Sequence, residues 1–445
     1  MKSASLLSAV VVLLAACATP SPSCPTPEQS LCSGNCFDLQ SDAMNCGACG
    51  AVCGAQQTCQ AGKCSSIVCL QPDVYAACWV GGGLVGICSE TGAQTPTAIV
   101  APGLGDGGSG NAVVPNLQAG VFTGADTLWL LDYENNQLDV VDVAKWPPVP
   151  VIAISAASSD AGSDSSFSVN QMLSCDGMVM ALRTATPLLE GYDPATFLRV
   201  GEVSLVSDAG YQFPAAVACD GDHTAYVTDS YNNTVTAVDL DTFKITAQTS
   251  LPASDQLPPL SDGGTISPSL TGVAFTVAAS GEVLVSLQNL DPSYNAVAPS
   301  TTFTLDPALT TWSAPVDPGS QCLDAFQIVA SSDQSTAYLA CAGVFDSSNA
   351  TTVQPYNSAG YLGVIGLGSV KTAAEAPIMT TLSNPTNLAV LKNGLLAISD
   401  YSPQSEVGFY NPADGGISYV TVNCPLLPDG GLNPQQGVTA VIAAP

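Results

Sequence analysis

Residues 127–142 read TLWLLDYENNQLDVVD, and residues 224–239 read TAYVTDSYNNTVTAVD. The two align without a gap. Each is an alternating strand ending in Asp132 or Asp229, a loop holding Asn135-Asn136 or Asn232-Asn233, and a second strand ending in Val141-Asp142 or Val238-Asp239. Period-two alternation around an Asp/Asn turn is the signature of a β-hairpin. Leu395-Leu-Ala-Ile-Ser-Asp400-Tyr401 repeats the first half. Cys175-Asp-Gly177 recurs as Cys219-Asp-Gly221, and Asp193-Pro-Ala-Thr-Phe197 as Asp239-Leu-Asp-Thr-Phe243. These last pairs are about 45 residues apart, the length of a four-stranded propeller blade.

One unit shows the whole pattern. A strand at 215–219 leads through an Asp-Gly turn to 224–228, then across the Asn-Asn loop to 235–240 and an outer strand at 245–249. A lone blade cannot bury its faces, so such units stack into a ring. The predicted blades are 113–155, 168–206, 212–251, 267–315, 322–380 and 384–423. Strands within 74–100 and a lone strand at 437–443 together supply a seventh. The expected fold is all-β: a seven-bladed β-propeller closed by N- and C-terminal strands and preceded by a small disulfide-rich module. The strand–Asp-Ser-x-Asn-Asn–strand–Val-Asp pattern resembles the NHL and YncE-like propeller repeats. Where NHL repeats usually carry arginine after Asn-Asn, this chain has Gln137 and Thr234.

Composition agrees with many short strands: 46% hydrophobic, 10% charged, with 40 Gly and 32 Pro in 445 residues. The 37 acidic residues outnumber 8 basic ones, giving a net charge of −29. That field repels phosphate backbones, so nucleic acid is not an expected partner.

The N-terminal residues bear on location. Met1-Lys2 is followed by an apolar run over Leu6–Ala16, too short for the roughly 20 residues of a spanning helix. It reads as a signal peptide over 1–16. Leu14-Ala15-Ala16-Cys17 resembles the bacterial lipobox. The resemblance implies cleavage before Cys17, lipidation of Cys17 and a membrane anchor of several acyl chains. Ala18 after the cysteine implies the outer membrane, with the protein facing the periplasm or the cell surface. Residues 17–23 read as a tether.

Eight of the 17 cysteines lie between Cys24 and Cys64. This stretch, 24–66, has almost no apolar periodicity, so disulfides must hold it. Its Asn45-Cys46-Gly47-Ala48-Cys49-Gly50 run resembles the Stig-type cysteine-rich family. Zinc is the rival reading of Cys46-x-x-Cys49, disfavoured by the lack of any histidine there. Within 67–445, Cys175 and Cys219 are equivalent positions in adjacent blades, and Cys322 and Cys341 flank one hairpin. Full pairing then requires Cys424 to bond Cys69, Cys78 or Cys88, tying the two chain ends together.

Asp132, Asp229 and Asp400 end the second strand of their units, on the face that usually carries ligands. With Asn135, Asn136, Asn232 and Asn233 they form a candidate binding face able to take a cation. The plainer reading is that these side chains cap tight loops. No Asp-x-Asp-x-Asp-Gly loop supports calcium, and no bound metal or cofactor is expected. His223, the one histidine, reads as a solvated turn residue, and no motif gives it triad partners. Gly105 to Gly110 lacks a Gly-Lys-Ser/Thr ending and reads as a loop. Trp79, Trp129, Trp146 and Trp312 read as packing between blades.

The expectation is a monomeric, lipid-anchored cell-envelope binding or scaffold protein without catalysis. It meets the membrane through Cys17 and an unidentified envelope protein or ligand through the propeller. The alternatives are a metal-assisted lactonase- or lyase-like propeller enzyme, and a structural envelope or matrix protein.

Overall fold

The structure, a computed structural model, describes residues 24, 29–32, 35–40, 42, 44–53, 57–60, 62–66, 69, 71–79, 81–100, 116–132, 137–155, 169–184, 186–206, 212–252, 266–276, 281–291, 295–343, 359–368, 372–373, 378–402, 404–422, 424 and 437–445. Cys17, Asn135 and Asn136 lie outside these described residues. The chain divides into two units, residues 1–67 and 68–445.

The first unit holds two short hairpins, Gln29–Cys32 with Asn35–Asp38 and Gln57–Gln60 with Lys63–Ser66. Four disulfides replace a core: Cys24–Cys36, Cys32–Cys49, Cys46–Cys59 and Cys53–Cys64. Cys46, Cys53 and Cys64 place their sulfurs within 4.8 Å of one another. All three are spent in disulfides, so none is the thiolate that zinc requires. Gly47 sits at φ 74°, and a Cβ there would lie 2.3 Å from the Gly62 carbonyl oxygen. That close approach accounts for the glycine in the Asn-Cys-Gly run.

The second unit is the seven-bladed propeller that the repeats predict, with seven antiparallel sheets. Blade 1 comprises Leu117–Phe122, Thr127–Asp132, Gln137–Asp142 and Val149–Ser155. Blade 2 comprises Val169–Cys175, Met178–Arg183, Leu188–Tyr192 and Arg199–Ser204. Blade 3 comprises Pro214–Cys219, Thr224–Asp229, Thr234–Asp239 and Lys244–Ser250. Blade 4 departs from the expected four strands. It has Ser267–Thr276, Glu282–Leu290 and Ala296–Leu305, and its outer edge is only bridged, through Thr302–Val316 and Leu305–Trp312. Pro315 and Pro318 beside that segment cannot donate to a ladder, which limits pairing there.

Blade 5 comprises Ala325–Ala330, Thr336–Cys341, Tyr361–Gly366 and an outer edge split into Thr372–Ala373 and Ile378–Met379. Blade 6 comprises Pro385–Val390, Leu396–Asp400, Glu406–Tyr410 and Ile417–Thr421. Blade 7 is assembled from both chain ends. Val438–Ala443 is its innermost strand and pairs with Val74–Cys78, which pairs with Gly83–Cys88 and then the short Ala93–Gln94 and Ala98–Ile99. Cys78–Cys424 ties this blade to the segment leaving blade 6, and Cys69–Cys88 closes a smaller loop. Cys175–Cys219 joins blades 2 and 3, and Cys322–Cys341 pins the start of blade 5.

The core is divided in the same sevenfold way. Each of seven buried apolar clusters lies between two neighbouring blades. Trp129 of blade 1 meets Tyr192 and Phe197 of blade 2, and Trp79 of blade 7 meets Tyr401 of blade 6. Trp146 donates its indole N–H to the Pro96 carbonyl of blade 7, and Trp312 donates its own to Thr249 of blade 3. All four tryptophans therefore join one blade to the next.

The recurring Asp-x-x-Thr-Phe turn explains a further latch. Asp193 and Asp239 accept backbone N–H groups of Thr196 and Thr242, which tightens the turn. Phe197 and Phe243 are thereby held at φ 60° and 50°, a conformation that costs a bulky residue about 1 kcal/mol or more. The aromatic ring is delivered onto the preceding blade. Gly191 and Gly201 of blade 2 leave the space: a Cβ on Gly201 would lie 2.1 Å from the Phe243 ring. We expect Gly201→Ala to destabilise the propeller by about 1–3 kcal/mol, the usual cost of overpacking. In a Phe243→Ala background the penalty should largely vanish. Urea denaturation of the four variants of this cycle checks it, and an equal penalty in both backgrounds contradicts the latch.

Candidate functional site

The three repeat aspartates do the same job in three blades. Asp132 accepts the N–H of Asn116, Asp229 that of Phe213 and Asp400 that of Asn384, at 3.2, 2.9 and 2.9 Å. Those donors each sit one residue ahead of an innermost strand, so the carboxylate fixes how the chain enters the channel wall. Asp229 also accepts from Tyr231 and Asn232 at 2.9 and 2.8 Å, and Asp400 from the Ser402 hydroxyl. All three aspartates are buried. Asn233, at φ 50°, donates to the Pro268 carbonyl and accepts from the Leu270 N–H, both at 2.9 Å. It fastens blade 4 to blade 3. Among the described residues these groups do not converge on a point, and no three carboxylates or histidines offer donor atoms within 4.8 Å of one another. His223 is exposed, 3.2 Å from Asp241 on the neighbouring turn of the same blade.

What the structure does bring together is a ring the repeats did not point to. In every blade the innermost strand carries one extra residue against the second strand, at the same level. Such a bulge re-aims side chains. The sequence trace is a pair with at least one polar member between flanking residues that are mostly apolar: Leu-Gln-Ala-Gly at 117–120, Leu-Thr-Gly-Val at 270–273, Ala-Phe-Gln-Ile at 325–328, Pro-Thr-Asn-Leu at 385–388, Val-Thr-Ala-Val at 438–441. It is too short and too degenerate to stand out without the register.

The bulged residues and their neighbours line a channel mouth of about 380 Å³ to which all seven blades contribute. Its polar lining includes Gln118, Gln171, Thr271, Gln327, Asn387 and Thr439. Phe213 and Phe326, each 38% exposed, supply its apolar part. A second cavity of about 250 Å³ shares Gln118, Gln171, Gln327 and Asn387 and is otherwise walled by backbone and apolar groups. No ionisable side chain lines either.

Several of these polar groups stitch the ring. Gln171 accepts the Val217 N–H at 2.8 Å, Asn387 the Val441 N–H at 3.0 Å, and Gln327 the Leu388 N–H. Each bond runs from one innermost strand to the next. Thr271 and Thr439 donate to the carbonyls of Ala325 and Leu117, again one blade on.

Charged groups lie inside the blades instead. Glu190 of blade 2 is buried between Arg183 at 3.6 Å and Arg199 at 3.0 Å and accepts from the Tyr192 hydroxyl at 3.2 Å. Asp139 of blade 1 accepts from Gln137 at 2.7 Å, while its other oxygen has no partner among the described residues. Burial, with the nearby Asp132 charge, pushes Asp139 up to about 7. Burial alone raises Asp324 to about 7, and burial raises Asp400 to about 6 against the pull of its hydrogen bonds.

No protein-family profile matches the chain, and no curated protein matches it in sequence. Solved structures do match in fold. A protein from Lactobacillus plantarum superposes with TM-score 0.54 and 10% identity over 83% of this chain and 98% of its own. A functionally unknown protein from Desulfotomaculum acetoxidans DSM 771 gives 0.53 and 12% over 84% and 100%. A streptogramin B lyase gives 0.48 and 10% over 69% and 84%. At these identities the likeness is one of fold.

The raised carboxyls set a pH dependence. Because the folded state holds their protons more tightly, unfolding releases them between the ordinary carboxylate value near 4 and about 7. Stability therefore falls as pH rises through that window, and mutual repulsion within a −29 chain acts in the same direction. We expect the melting temperature to rise as pH is lowered from about 8 to about 5. Asp139→Asn should flatten that rise. Thermal melts across pH check both, and a melting temperature that falls over this interval contradicts the account.

Proposed function

We propose that this is a lipid-anchored envelope binding protein, and that its ligand sits at the propeller's channel mouth. The observation that carries the reading is the convergence of all seven innermost strands on one uncharged cavity of about 380 Å³, within the ~300–1,000 Å³ range of small-ligand sites. A binding role is further supported by how the described ionisable groups are used. The repeat aspartates clamp backbone and Glu190 is ion-paired, so neither is aimed at a reacting atom. The lipobox-like run ending in Cys17 supports anchorage, and eight disulfides support an oxidising compartment. The Asn-Cys-Gly and Asn-Asn runs support kinship with Stig-type modules and NHL-like repeats. A rigid disc on a tether then presents one face to the envelope, as a monomer at the outer membrane.

Two substitutions test this. Cys17→Ser should release the protein from membranes on fractionation; unchanged retention contradicts the anchor. The released protein should sediment with envelope fragments. Ala215→Trp, which fills the mouth, should weaken the affinity for the fragments about tenfold, a loss of roughly 1.4 kcal/mol. Equal sedimentation of the two proteins contradicts a binding role for the mouth.

A further inference from the structure

Resting on that reading, we propose that the mouth takes the end of an uncharged sugar chain, held by side-chain amide donors against Phe213 and Phe326. The orientation of the amides carries the argument. The backbone N–H groups of Val217, Leu388 and Val441 can only donate. The atoms of Gln171, Gln327 and Asn387 that face them are therefore carbonyl oxygens. The NH₂ branch of each amide has no protein acceptor among the described residues, and all three residues line the mouth. Gln118 lines it too, with no partner for either end of its amide among those residues.

Among these four amides, free N–H donors outnumber free oxygens. Each NH₂ group brings two N–H bonds, whereas the oxygens of Gln171, Gln327 and Asn387 already accept from the neighbouring blade. A ligand must supply oxygens. Sugar hydroxyl and ring oxygens do so, and a hydroxyl can turn its own hydrogen elsewhere. A peptide brings an N–H with every carbonyl, and those fixed donors would face the amide NH₂ groups, leaving only the Gln118 oxygen and the Ser/Thr hydroxyl oxygens of the lining to accept them. An anionic ligand would be desolvated with no cation in the lining and would be repelled by the −29 chain. Phe213 and Phe326, half-exposed in the same cavity, offer apolar surface to the C–H face of a sugar ring.

The test uses the purified full-length protein in a sugar-free detergent and titration calorimetry. The probes are cellotetraose, maltotetraose and chitotetraose, with tetragalacturonate and end-capped tetra-alanine beside them. At least one neutral tetrasaccharide should bind, and more tightly than the acidic sugar or the peptide. Gln171→Glu and Gln327→Glu keep an oxygen for the Val217 and Leu388 N–H groups but lose the NH₂ donor. Each should weaken the sugar about tenfold or more, while the melting temperature changes little. If either variant fails to fold, Phe326→Ala should still weaken the sugar while leaving the fold intact. Tighter binding of the peptide or the acidic sugar overturns the proposal, as does sugar affinity indifferent to these substitutions. If no neutral sugar binds while the protein still sediments with envelope fragments through its mouth, the sugar proposal fails and the binding reading stands. Loss of that sedimentation removes both.

Discussion

Ring closure is the constraint on which the propeller depends. Each apolar cluster lies between two blades, so no blade has a core of its own. The innermost strands touch in a closed cycle, from Leu117–Phe122 through each blade in turn to Val438–Ala443 and back. Without the C-terminal strand, the clusters on both faces of blade 7 would lose part of their cover and Val74–Cys78 would become an unpaired edge, which is both destabilising and an aggregation hazard. The C-terminal strand prevents this by becoming the inner strand of a blade whose other strands come from the N-terminal side. The Thr439 hydroxyl bonds carbonyls in both blades it joins, Ala77 and Leu117. Cys78–Cys424, spanning 346 residues, makes the closure covalent. By loop-entropy reasoning a bridge of that span contributes roughly 5–6 kcal/mol before strain.

The same architecture makes the mouth. A bulge repeated at one level of seven inner strands turns short polar side chains toward the axis, where they serve two ends at once. In Gln171, Gln327 and Asn387 the amide oxygen bonds the next blade while the residue lines the cavity. Stitching the ring and presenting donors are therefore one device. Charge is kept out of it. Among the buried acidic side chains, Asp132, Asp229 and Asp400 clamp backbone, and Asp139 and Glu190 lie within a blade.

Much of this was legible in the chain. The hairpin repeats at 127–142 and 224–239 reported blade length and strand order because alternation and Asp/Asn turns are local properties. The odd strands at 74–100 and 437–443 implied a blade built from both ends. The cysteine count left Cys424 needing a partner near the N-terminus, and the structure joins it to Cys78. The mouth was less legible. Asp132 and Asp229 drew attention as candidate ligands because they repeat, yet what repeats most strongly is what every blade needs for its own backbone. The residues that face the cavity differ from blade to blade, as Gln118, Thr271 and Phe326 do, because the axis makes a different contact at each. Their shared feature is a register shift, which exists only between paired strands. The weakly paired outer edge of blade 4 was hidden for a related reason: the repeat implies a four-stranded blade over 267–315, but only the ladder shows that two isolated bridges form at its edge.

The central claim is that the last strand holds the whole ring, and hydrogen exchange of a chain ending at residue 436 tests it most directly. Cys78 and Cys424 remain in that chain, so the strand is removed without the disulfide. Closure by the strand predicts that amide protection drops in blades 1 to 6 together with blade 7, and that the truncated chain still unfolds in one transition at a lower denaturant concentration. Protection lost only in Val74–Cys78 and its blade-7 neighbours, with blades 2 to 5 as slow to exchange as in the full chain, would contradict it.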